Sequence, residues 1–116
     1  MQFPLRQENG NVVCERCVLA DTALMRMKGL LGRKELAADE GLLLRPAASV
    51  HTAFMRFPID VLFLDRDDRV VRIAANLPPW RTASARKAAA VAELRAGEAE
   101  RRGVRVGDRL ALDGAS

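Results

Sequence analysis

His51-Thr-Ala-Phe-Met-Arg-Phe-Pro-Ile-Asp-Val-Leu-Phe-Leu-Asp65 is the stretch around which the chain is organised. It carries the only histidine, and it ends in Ile59 to Leu64, the most apolar strand-like run in the sequence. Such a run, apolar at every position but Asp60 and bounded by Pro58 and Asp65, reads as a strand buried on both faces at the centre of a sheet. Asp65-Arg-Asp-Asp68 reads as a turn in which Asp68 tolerates left-handed geometry. Arg69 to Ala75 then returns as the partner strand of a hairpin.

Outward from this hairpin, the N-terminal side reads as strands separated by turn signals. Phe3 to Arg6 is expected as an edge strand, since Pro4 lacks an N–H for a ladder. Asn9-Gly10 closes a hairpin onto the strand Val12 to Ala20. Asp21 or Thr22 caps a short helix whose apolar positions Leu24, Met27, Leu30 and Leu31 recur at helical spacing, ending near Gly32. A short helical or irregular piece spans Arg33 to Ala38. Gly41 to Arg45 is a strand stopped by Pro46, and Ser49 to Met55 is extended.

On the C-terminal side, Asn76 to Arg81 is a loop and Thr82 to Lys87 a mobile one. Ala88 to Arg95 is ambiguous: alanine, leucine, glutamate and arginine favour helix, yet its length between a loop and Gly97 suits a strand. A helical turn follows at Gly97 to Arg102, then the turn Gly103 to Asp108 and a last strand from Arg109 to Leu112. The expected architecture is mainly β, a compact sandwich or barrel with one to three short helices. The 116 residues form a single domain, with 1–10 flexible or an edge strand and 113–116 a tail.

Composition narrows the function classes. Charged residues make up 29% and the net charge is +4. The basic residues are interspersed with acids and lack interleaved aromatics, which argues against nucleic acid as a partner. No run is long enough to span a membrane, and residues 1–10 lack the pattern of a signal peptide. The expected location is the cytoplasm, where Cys14 and Cys17 stay reduced.

The ordered pieces Lys28-Gly-Leu-Leu-Gly32, Glu40-Gly-Leu-Leu-Leu44, His51 to Asp65, Pro79-Trp-Arg81, Ala92-Glu-Leu-Arg-Ala-Gly97 and Gly103-Val-Arg-Val-Gly-Asp108 resemble the family named domain of unknown function 192. The resemblance implies a compact, mainly β domain with few short helices. It also implies that Ala88 to Arg95 is a strand despite its alanines. No biochemical activity follows from it. Two features depart from the common pattern: Phe54 stands where many relatives have tryptophan, and the leader or lipid anchor of many relatives is not seen.

Each candidate for chemistry also has a structural reading. Cys14-Glu-Arg-Cys17 is a CxxC. On a regular strand, positions three apart face opposite sides, so one thiol is expected inward and one outward, as structural cysteines. Zinc would need further ligands, and neither a metal nor a cofactor is expected. His51 is the one side chain suited to proton transfer near neutrality. Asp60 either locks the turn before the central strand or, with His51 and Arg56, forms a polar cluster. Arg56 and Asp60 could also pair across the Pro58 kink. Trp80 in its proline-rigid loop either stacks on a ligand or caps the end of a barrel. Glu93 is expected to face away from the core, or a polar pocket if strand register differs by one.

These residues support a small-ligand-binding or accessory domain, its site drawn from His51, Thr52, Met55, Arg56, Asp60, Trp80, Arg81 and Arg26. The partner would be a small molecule or a protein. The alternatives are a hydrolase or lyase using His51 and Asp60, and a protein-interaction module without a pocket. Oligomeric state is not indicated.

Overall fold

The structure is a computed structural model describing residues 2–20, 35–53 and 55–112. The capped helix from Asp21 to Gly32, Arg26, Phe54 and the tail at 113–116 lie outside the described residues.

Among the described residues nine strands and one short helix follow in order: β1 (Gln2–Gln7), β2 (Val12–Ala20), β3 (Glu40–Leu44), β4 (Ser49–His51), β5 (Ile59–Leu64), β6 (Val70–Leu77), β7 (Thr82–Ser84), β8 (Ala90–Arg95), α1 (Glu98–Arg101) and β9 (Leu110–Leu112). Seven strands make one curled sheet in the order β6-β5-β8-β3-β2-β1-β9, and β4 pairs with β7 as a separate ribbon. All neighbours in the large sheet are antiparallel except β2 and β3. A lone bridge between Arg69 and Arg109 joins the two ends of the sheet. The result is a half-barrel, mainly β as expected.

The three adjoining inner strands β5, β8 and β3 are buried on both faces. Leu62 and Leu64 of β5, Ala90, Ala92 and Leu94 of β8, and Leu43 of β3 join one cluster with Phe3, Leu5, Val13, Val104 and Leu110. The alternate residues Ile59, Val61, Phe63, Val91, Leu42 and Leu44 join a second with Leu36, Val50, Met55, Phe57 and Ala83. Period-two alternation therefore sends apolar side chains into two separate cores. This is why Ile59 to Leu64 shows no polar face. It is also why Ala90–Arg95 is a strand: six ladder partners on β5 and four on β3 outweigh alanine's modest helix preference.

Four expectations are corrected. First, β1 is not an edge strand, because Leu5, Arg6 and Gln7 pair with β9. Pro4 is tolerated because it sits beyond that ladder and opposite an irregularity in β2. Second, Thr82 to Lys87 is not wholly a loop, since Thr82–Ser84 pairs with Ser49–His51. Third, Glu93 is buried, on the side of the sheet that carries Val91.

The fourth correction concerns the cysteines. Both Cys14 and Cys17 are fully buried in the first cluster. The pairing Phe3 with Cys17 and Leu5 with Cys14 sets three residue steps on β2 against two on β1. One extra residue is thus inserted between the cysteines, a β-bulge, and it turns both thiols to the same face. Glu15 and Arg16, within the bulge, remain exposed.

Candidate functional site

The loop from His51 to Pro58 is built on Thr52, which is fully buried. Its backbone N–H donates to the Arg81 carbonyl at 2.8 Å, and its carbonyl accepts the N–H groups of Trp80 at 3.0 Å and Met55 at 3.2 Å. Its hydroxyl accepts the Arg81 N–H at 2.9 Å and donates to the Pro78 carbonyl at 2.7 Å. Threonine suits this position because one small hydroxyl both donates and accepts. One residue thereby fastens the loop 51–58 to the loop 78–81.

This clamp sets the exposure of its neighbours. His51 is the cross-strand partner of Thr82 on the β4–β7 ribbon, and both are exposed. Trp80 is held at φ 63° and is 61% exposed. A left-handed backbone is rare for a bulky residue and costs on the order of 1–3 kcal/mol. Arg81 is exposed beside it. His51, Trp80 and Arg81 are thus all exposed on the two segments that Thr52 joins. Met55 and Phe57 turn inward to the second core, while Arg56 between them is exposed on the turn.

Asp60 belongs to a different arrangement. It is 1% exposed, and its carboxylate accepts three backbone N–H groups: Asn76 at 2.8 Å, Gly97 at 3.0 Å and Ala99 at 3.0 Å. The β5–β6 register shifts between Ile59 and Val61, so Asp60 faces a bulge in β6 where Asn76 adopts φ 53°. One carboxylate oxygen takes the bulged N–H, and the other takes the N–H groups opening α1. No hydrogen bond joins Asp60 to His51 or Arg56 among the described residues. The pairing of Arg56 with Asp60 across the kink is therefore absent. Asp60 accepts main-chain donors instead, and they lie in β6 and at the start of α1, not at the turn before β5.

Two further features lie outside the residues singled out from sequence. An open groove of about 130 Å³ is lined by Glu35, Leu36, Phe57, Pro58, Arg95 and Ala96. On the far side of the sheet, Arg102 donates to the carbonyls of Val12 at 3.1 Å and Ala38 at 2.9 Å. It also pairs with Glu15 at 2.7 Å and Glu98 at 3.0 Å. Arg101 grips the same Glu98, and these hydrogen bonds hold its carboxyl down to about 2 against the cost of burial. Neither feature has a sequence signature, because each depends on residues far apart in the chain. No group of three or more metal-ligating side chains occurs among the described residues. No helix among them is long and apolar enough to cross a membrane.

Comparison with known proteins fits this geometry. Residues 5–112 match the family model of domain of unknown function 192, described as Uncharacterized ACR. A UPF0127 protein of Pyrococcus furiosus is 41% identical over 95 residues, which are 78% of this chain and 81% of that protein. A crystal structure of a protein of unknown function from Novosphingobium aromaticivorans superposes with a TM-score of 0.80 at 32% identity, covering 93% of this chain and 83% of that one. A Sinorhizobium meliloti protein named a "putative transcription regulator" superposes with a TM-score of 0.85 at 28% identity, covering 98% and 95%. The chain belongs to the domain of unknown function 192 family, for which no specific function is established.

Proposed function

We propose that the protein is a non-enzymatic, small-ligand-binding domain whose recognition corner is the exposed rim of His51, Trp80 and Arg81. The observation that carries this reading is Trp80, an apolar ring kept 61% exposed on a backbone held at φ 63°. Costly backbone conformations cluster at ligand clamps, active sites and switch regions. An exposed indole, with an arginine next to it in sequence and a histidine next to the clamp residue Thr52, suits a small molecule with a flat ring and a negative charge. Thr52 is the support that fixes the rim, and Met55 anchors the loop in the core. Asp60 locks the sheet beneath, while Arg56 extends the exposed surface of the same loop.

The hydrolase or lyase reading has less support, because the Asp60 carboxylate is engaged by three main-chain donors and makes no hydrogen bond with His51 among the described residues. The interaction-module reading calls for a buried histidine, whereas His51 is exposed.

Trp80 is the only tryptophan, so its fluorescence reports on this corner alone. Benzoate and indole-3-carboxylate serve as flat anionic probes. Saturable quenching is expected in the wild type, with amide shifts confined to residues 51–53 and 80–82 and loss of those shifts in Trp80→Ala. Shifts scattered over the surface, or none at millimolar probe, would overturn the reading.

A further inference from the structure

Cys14 and Cys17 take no part in the recognition corner, yet the fold gives them a geometry that a regular strand forbids. Three residues of extended strand separate Cα atoms by about 10 Å. A disulfide requires no more than about 6.8 Å. The bulge changes this separation. Cys14 stands opposite Leu5 and Cys17 opposite Phe3, two residues apart on β1. Two strand residues span about 6.7 Å, so the cysteine backbones lie at the outer limit of disulfide reach with both side chains on one face.

Their surroundings favour reaction between them. The two thiols perturb each other, Cys17 lowering the Cys14 pKa and Cys14 raising that of Cys17. Burial opposes ionisation of both, and the Arg102 guanidinium favours the Cys14 thiolate. The sulfur of Cys14 also lies 3.5 Å from the Asp39 carbonyl. The segment above it is held by the Arg16 backbone N–H on the Asp39 carbonyl at 2.8 Å, by the Arg16 side chain on the Asp39 carboxylate at 2.8 Å, and by the buried Arg102, which donates to the Ala38 carbonyl.

We propose that Cys14 and Cys17 form an oxidisable dithiol that a small peroxide closes to an intrachain disulfide. The Cys14 thiolate attacks one peroxide oxygen, the O–O bond breaks, and the departing hydroxide takes a proton to leave as water. Cys14 is then a sulfenic acid. The Cys17 sulfur attacks the Cys14 sulfur, the S–O bond breaks, and the oxygen leaves with the Cys17 proton as a second water. The dithiol has lost two electrons and two protons, and hydrogen peroxide has become two molecules of water. Closing the bridge draws Cys14 away from the Asp39 carbonyl.

The test uses the full chain in native buffer with a few equivalents of hydrogen peroxide. It is then quenched, denatured, alkylated with N-ethylmaleimide and weighed. The expected product is a monomer lighter by two hydrogen atoms with no maleimide adduct, and dithiothreitol restores both alkylation sites. Cys17→Ser should stop at a Cys14 sulfenic acid trapped by dimedone. The wild-type result stands even if that variant fails to fold. Two alkylatable thiols after an exposure that converts free cysteine would overturn the proposal. So would a bridge formed only in urea, or sulfinic acid on one cysteine with the other still free.

Discussion

The carboxylate of Asp60 accepts the backbone N–H of Ala99 at 3.0 Å, tying the central strand to the first turn of α1. The same oxygen accepts Gly97, and its twin accepts Asn76 in the β6 bulge. Three separate segments therefore meet on one buried anion. Asparagine in its place offers one acceptor and directs an amide N–H₂ at remaining donors. Asp60→Asn is expected to cost about 2–4 kcal/mol, since bonds to a charged acceptor are the stronger kind and buried donors are left unpaired. Urea unfolding followed by circular dichroism measures it. A loss below about 0.5 kcal/mol would remove Asp60 from this role.

Trp80 separates presentation from packing. Trp80→Gly is expected to leave stability within about 1 kcal/mol of wild type, because relief of the left-handed backbone offsets the greater freedom of an unfolded glycine. Trp80→Val, β-branched at φ 63°, should be less stable than the glycine variant. Differential scanning calorimetry of the two ranks them, and the reverse order would mean that the ring is part of the core.

Thr52→Val keeps the shape and removes the hydroxyl that joins Pro78 to Arg81. The expected loss is about 1–3 kcal/mol, the cost of a buried donor and acceptor left unsatisfied. Thr52→Ser should retain most of it. If valine and serine behave alike, the hydroxyl is not the clamp.

Gly41 is the position where a side chain has nowhere to go. An added Cβ would stand 2.7 Å from the Cys14 sulfur and 3.1 Å from the Glu93 carbonyl. Gly41→Ala is expected to cost about 1–3 kcal/mol by overpacking. Adding Cys14→Ala should recover part of that loss, while the Glu93 backbone contact prevents full recovery. Chemical denaturation of the single and double variants tests this coupling.

Glu98 makes stability depend on acid. Its pKa falls from 4.5 to about 2, chiefly through the Arg101 hydrogen bond and then that of Arg102. A carboxyl depressed on folding stabilises above its unfolded pKa and loses that contribution as pH drops toward the folded one. The contribution is about 2 kcal/mol after allowance for the exposed Arg101 side chain, and it should vanish between pH 4.5 and about 2. Glu98→Gln should flatten the stability profile across that window. An unchanged slope would show that the pair is screened by solvent.

The sequence made some of these features legible and hid others for physical reasons. Ile59 to Leu64 announces a central strand because burial on both faces removes any polar alternation. Asp68 in its turn and Gly10 in the first hairpin declare themselves through residue type, and both adopt positive φ. Bulges carry no such mark. The one between Cys14 and Cys17 was invisible, so strand parity gave the wrong side for a thiol. The short strand Thr82–Ser84 has too few residues to show a period. Proximity in sequence suggested a cluster of His51, Arg56 and Asp60. The sheet divides them, because Asp60's partners are backbone groups that any residue could supply. Thr52, by contrast, was included beside the rim residues it supports, although its central place depended on carbonyls 26 and 29 residues away.

The pairing of β1 with β9 has a consequence for how the chain is made. Leu5 lies opposite Leu112, so β1 is synthesised long before one of its two neighbours. A hydrogen bond from the Gln7 side-chain amide to the Asp108 carboxylate ties the same two regions. The emerging chain can form the β1–β2 hairpin early, but the outer edge of β1 must wait, open to other chains, until β9 has been made. Completion of the sheet is thus a late event on the production line, and slow translation would lengthen the period in which that edge can aggregate.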